Sequence, residues 1–84
     1  MSPVRRVVMF SRPGCGLCDQ AREVIVAEGA RTPFAFEEVD VTGDDRLELD
    51  YGIRIPVVLV DGREEFEIRV DPADFARVLA SPAG

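Results

Sequence analysis

The chain has 84 residues, enough for one small domain near the size at which a single core is only marginally sufficient. Its 46% hydrophobic content argues against global disorder, and the apolar runs stop at four residues, far short of the roughly 18 a membrane span needs. The N-terminus lacks a signal-peptide apolar stretch, and ten arginines, no lysine and sixteen acidic residues give a net charge of −6, so the expected protein is cytoplasmic, off the membrane and not a nucleic-acid binder.

Val4 to Ser11 is predicted as a buried strand with the apolar centre Val7-Val8-Met9-Phe10, bounded by Pro3 and by Arg12-Pro13-Gly14. From Gly16 to Glu28 the residues Leu17, Ala21, Val24, Ile25 and Glu28 recur at helical spacing, with Gly29 as the stop. Phe34 to Val41 is predicted as a second strand. Thr42 is then the expected cap of a shorter helix across Asp44 to Tyr51, ended by Gly52. Val57 to Val60, Asp61-Gly62 and Glu64 to Val70 form a predicted hairpin, since Asp-Gly suits a two-residue turn with positive φ. Asp71-Pro72 opens a last helix through Ala80, leaving Ser81 to Gly84 as an expected frayed tail. The order is β-α-β-α-β-β-α, without repeats or linkers. The acidic residues concentrated between Glu37 and Asp50 are expected to form a solvated face.

Cys15 and Cys18 are the only cysteines, and they sit where the first strand hands over to the first helix. Two intervening residues put both sulfurs on one helical turn, close enough to bridge, and in a reducing cytosol such a pair is expected to be catalytic, redox-sensing or metal-binding rather than structural, with a reversible dithiol/disulfide centre as the leading reading. Cys15 meets the unpaired N–H groups and positive dipole end of the helix, which favour thiolate, the attacking species. That makes Cys15 the candidate nucleophile and Cys18, one turn in, the resolving thiol. The chain has no histidine, so any further activation must come from Arg12, which can stabilise the thiolate or hold a substrate carboxylate. Asp19, beside Cys18, pulls the other way. Leu17 is an apolar docking contact. Two sulfurs without histidine fall short of a tetrahedral zinc site, so no metal site is expected.

The order of elements, Cys-x-x-Cys at the first strand-to-helix junction and Ile55-Pro56 before the third strand resemble the thioredoxin fold. Phe10-Ser11-Arg12-Pro13-Gly14-Cys15-Gly16-Leu17-Cys18 and Tyr51-Gly52-Ile53-Arg54-Ile55-Pro56-Val57 look more narrowly like a glutaredoxin-like protein. The resemblance implies an α/β domain with a four-stranded mixed sheet flanked by helices, and a thiol-disulfide oxidoreductase that reduces disulfides through the Cys15/Cys18 pair. It implies a cis Pro56 lying against the sulfurs, with the backbone of Ile55 offered to an extended substrate. Expected partners are a disulfide-containing protein or small-molecule disulfide and a reductase or thiol reductant, met by a monomer without a tightly bound cofactor. The Gly-Gly turn of glutathione-dependent members is replaced by Val70-Asp71-Pro72, so glutathione is expected to be a poor reductant, a different low-molecular-weight thiol or a reductase being open in its place, and Asp71 and Asp74 are read first as helix-start residues. The alternatives are an iron-sulfur cluster or metal carrier, completed by a dimer or an external thiol, and a non-catalytic interaction module.

Overall fold

The computed structural model describes residues 4–81, and in it the predicted order is found. The elements are β1 (Arg5–Ser11), α1 (Gly16–Gly29), β2 (Phe34–Asp40), α2 (Asp45–Tyr51), a 3₁₀ turn (Gly52–Arg54), β3 (Val57–Val60), β4 (Arg63–Glu67) and α3 (Pro72–Ala80). They build one four-stranded sheet in the order β2-β1-β3-β4. β1 runs parallel to β2, as a helical crossover requires, and antiparallel to β3, which turns back into β4. The fold class is α/β with a mixed sheet, and β1 occupies the interior position its apolar run predicts. The expected tail beyond Ser81 lies outside the described residues.

Packing is two-sided. On one face Val7, Met9, Val58 and Val60 meet Cys18, Ala21 and Ile25 of α1 and Phe75 and Leu79 of α3. The buried positions of α1 fall at i, i+3 and i+7, one stripe of the helix. Leu17 and Val24, predicted within the apolar face, sit at its flank and are only half-buried. Phe75 is fully buried, with Phe34 and Phe66 edge-on to its ring at centroid distances of 5.9 and 6.0 Å. On the other face Phe10 stacks on Tyr51 at 4.1 Å, which seats the end of α2 against β1.

Three local features differ from the sequence reading. Thr42 does not cap α2. Its N–H donates to Asp40 Oδ1, while Asp44 holds the cap position and accepts from Leu47 N–H at 3.0 Å. Gly43, at φ +83°, lets the chain turn between them, so the cap lies two residues later than Thr42. Strand β4 stops at Glu67 rather than Val70, because Ile68 takes φ +71° and the Arg69 N–H returns to the Glu67 carbonyl at 2.7 Å. This is a γ-turn with positive φ at a β-branched residue, a conformation that costs on the order of 1–3 kcal/mol. The Ile68 N–H offsets part of that cost by donating to the carbonyls of Pro56 (2.9 Å) and Arg54 (3.2 Å). The β3–β4 turn is as predicted, with Asp61 and Gly62 both at positive φ. Asp61 also accepts from Arg6 N–H and pairs with Arg5, fastening the turn to β1.

Candidate active site

β1 ends in the buried Ser11, and Arg12-Pro13-Gly14 turns the chain into α1, with Gly14 at φ +78° where a side chain would be strained. The turn delivers Cys15 to the N-cap of α1 in extended conformation (φ −90°, ψ 107°). Its carbonyl accepts the first helical bond, from Asp19 N–H at 3.1 Å, and its Sγ accepts from Cys18 N–H at 3.1 Å. A sulfur therefore stands where a serine or aspartate oxygen usually caps a helix. Negative charge on that sulfur gains both a direct N–H donor and the positive end of the helix dipole.

Cys15 is half-buried and Cys18 fully buried, and the two are joined as a disulfide with their Cα atoms 5.2 Å apart. The sequence-based asymmetry between an accessible first sulfur and a packed second one matches this placement. The Ile55–Pro56 bond is cis, Pro56 is fully buried, and Ile55 packs half-exposed against the same core that Cys15 borders. A Cβ added at Gly16 would meet nothing within 4 Å, which leaves open space beside Cys15.

Arg12, the candidate cation for the thiolate or a substrate carboxylate, is engaged by two acceptors at the end of α2. Its guanidinium donates to Glu48 Oε1 at 2.6 Å and to the Gly52 carbonyl at 3.3 Å, tying the loop before Cys15 to the end of α2. A carboxylate partner thus offsets the charge that was expected to activate Cys15. Gly52 permits the approach, since a Cβ there would stand 3.1 Å from Arg12 Nη2.

An ionic chain unread in the sequence flanks the loop on the β2 side. Ser11 Oγ donates to Glu38 Oε2 at 2.7 Å, Arg22 grips both oxygens of Glu38 at 2.7 and 2.6 Å, and Arg22 Nη1 reaches Asp19 at 2.8 Å. The hydrogen bonds from Arg22 and then from Ser11 hold the Glu38 carboxyl below its ordinary pKa, and those to Glu38 and Asp19 raise that of Arg22. Asp19, expected to weigh against the thiolate, thereby has its charge paired. The Asp19/Arg22 spacing was visible as an i, i+3 pair, but Glu38 lies on another element with no local signal.

On the opposite flank, Leu17 opens a groove of about 260 Å³ between α1 and the segment joining β4 to α3, lined also by Val24, Ile68, Arg69 and Asp71. Asp71 caps α3 through a bond from Asp74 N–H at 3.0 Å, the helix-start role predicted for it. Among the described residues no group of three or more cysteines and carboxylates is arranged to hold a metal ion, and no helix is long and apolar enough to cross a membrane.

The family model of the glutaredoxin-like domain (DUF836) matches residues 6–80. An uncharacterized protein of Mycobacterium tuberculosis is 35% identical over 81 residues, covering 86% of this chain and 84% of the relative. A Bacillus subtilis protein named N-acetyl-S-hydroxy-L-cysteine reductase is 28% identical over 85 residues, 90% of this chain and 87% of its own. Among solved structures, the XcR50 target protein of X. campestris superimposes with a TM-score of 0.75 at 34% identity, over 90% of this chain and 99% of that one. A thioredoxin from Halobacterium salinarum shares the fold with a TM-score of 0.63 at 24% identity, over 89% and 71% of the two chains. A thioredoxin-like sheet carrying its cysteine pair at the start of α1, matched by that family model from β1 to the end of α3, places this chain in the glutaredoxin-like (DUF836) family.

Proposed function

We propose that this protein is a thiol-disulfide oxidoreductase that reduces oxidised low-molecular-weight or protein thiols through Cys15 and Cys18. The observation that carries the reading is the N-cap sulfur of Cys15, which accepts the Cys18 N–H while bridged to a buried second sulfur. In the reduced protein the Cys15 thiolate attacks one sulfur of a substrate disulfide, forming a mixed disulfide and expelling one thiolate. Cys18 then attacks Cys15 Sγ, releasing the second thiol and closing the protein disulfide, so two electrons pass from the dithiol to the substrate. A sulfenic acid fits the same chemistry, with water leaving in the first step; the name of the Bacillus relative supports that extension.

Leu17 serves as the apolar contact for the substrate, and Ile55, held by the cis bond to the buried Pro56, offers backbone to an extended chain. Arg12 acts by holding the loop. A reductase or a low-molecular-weight thiol other than glutathione returns the pair to the dithiol in a reducing cytosol. The test is a single turnover in which reduced protein meets bis(2-hydroxyethyl) disulfide. One disulfide consumed, two thiols released and both protein thiols lost is the expected stoichiometry. Protein thiols that survive excess disulfide unchanged would overturn the proposal.

A further inference from the structure

The groove beginning at Leu17 contains one cation, Arg69, and among the described residues this guanidinium has no ion-pair partner. The arginines around the active-site loops are engaged elsewhere: Arg12 with Glu48, Arg22 with Glu38 and Asp19, Arg54 with Glu64. Resting on the oxidoreductase reading above, we propose that Arg69 determines substrate choice by receiving the carboxylate of a small oxidised cysteine derivative whose sulfur is presented to Cys15.

Arg69 owes its place to the turn at Ile68. The positive φ of Ile68 and the bond from Arg69 N–H to the Glu67 carbonyl stop β4 and swing the chain toward α1. The Ile68 N–H is fixed to the Pro56 carbonyl, which couples the turn to the proline loop. A left-handed conformation at isoleucine persists only where the surroundings determine it, and here it sets Ile68 and Arg69 on the groove together. A planar guanidinium matches a carboxylate through two parallel N–H bonds.

The dimensions favour a small ligand. Leu17 and Val24 are seven residues apart, about 10 Å of helix, and the groove holds about 260 Å³, room for one amino-acid derivative rather than a folded partner. Leu17, Ala21, Val24, Ile68, Val70 and Pro72 give it apolar walls. Asp71 is the groove's carboxylate; its Oδ2 accepts from Asp74 N–H, and it makes no ion pair with Arg69. Because the whole chain carries a charge of −6, an anionic substrate needs a local cation, and Arg69 supplies one.

The test compares two disulfides that differ only in charge, N,N′-diacetylcystine and its bis-amide, each reacted in single turnover with the reduced full-length protein. Arg69→Ala is expected to lower the ratio of the diacid rate to the bis-amide rate by about tenfold or more, the effect of losing a charge-assisted bond. Arg69→Lys should retain part of the preference, and high salt should erode it in the wild type. A ratio unchanged by Arg69→Ala would overturn the proposal. If neither cystine probe reacts while bis(2-hydroxyethyl) disulfide oxidises the pair, the substrate class is wrong and the oxidoreductase reading stands. If none of the three reacts, both fall.

Discussion

The sulfur of Cys15 caps a helix, and most of the chemistry argued for this chain follows from that one substitution of sulfur for oxygen. The position was legible because Gly14 and the start of the Leu17, Ala21, Val24, Ile25 pattern bracket it. The neighbouring charges were not, since a side chain's partner depends on tertiary proximity. Arg12 reaches Glu48, 36 residues away, and Asp19 is paired by an arginine that also grips Glu38 on β2. Glu38 yields a prediction at this scale. Its carboxyl is held below the usual glutamate value of about 4.3, so its contribution to stability is fully present above that pH and is lost as pH falls through the lowered folded-state value. Replacing Glu38 by Gln should cost about 1 kcal/mol near neutral pH, a modest figure because both partners are partly solvated, and should flatten the acid limb of a stability-against-pH curve. Urea titrations at several pH values measure this, and wild-type and variant curves that stay parallel into acid would show that Glu38 carries no linked charge.

At the level of elements, the sequence specifies which segments are helix or strand more firmly than where they end. Periodicity and turn residues mark all seven predicted elements, but threonine and aspartate have similar N-cap preferences, and nothing local distinguishes Thr42 from Asp44, the residue that caps α2. Asp44→Ala should therefore cost about 1 kcal/mol, whereas Thr42→Ala should fall within the roughly 0.5 kcal/mol typical of exposed sites. Thermal or denaturant unfolding of the two variants separates them, and equal losses would mean that the cap alternates between the two residues. The early end of β4 was hidden for a different reason. Isoleucine is a strand residue by propensity, and its positive φ is imposed by hydrogen bonds to the proline loop, a long-range constraint that local preference cannot report. That same turn produces the groove and places Arg69, so the groove lay beyond a reading of the β4–α3 segment in isolation.

For the molecule as a whole, the order of elements and the mixed sheet were legible from the alternation of strand-like and helical segments, and the resemblance in the Cys15 and Pro56 segments supplied the topology. The packing focus was not. Phe75 lies on the last helix, yet its ring is fully buried, edge-on to Phe34 from the start of β2 and Phe66 from β4. Truncation to alanine should cost about 3–5 kcal/mol, a large part of the roughly 4–13 kcal/mol expected for a domain this size. Circular dichroism of Phe75→Ala should show a fold that is lost or melts far earlier, and a loss below about 1 kcal/mol would show that the three rings do not form the centre of the core.

The most direct test of the proposed chemistry is the intact mass of each single-cysteine variant after reaction with a small disulfide. Cys18→Ser, which keeps the N-cap sulfur, should gain the mass of one half-disulfide and hold it as a stable mixed disulfide. Cys15→Ser, left with the buried sulfur alone, should stay unmodified over the same interval. An adduct on Cys15→Ser with none on Cys18→Ser would assign the attack to Cys18, and no adduct on either would remove thiol-disulfide exchange from this protein.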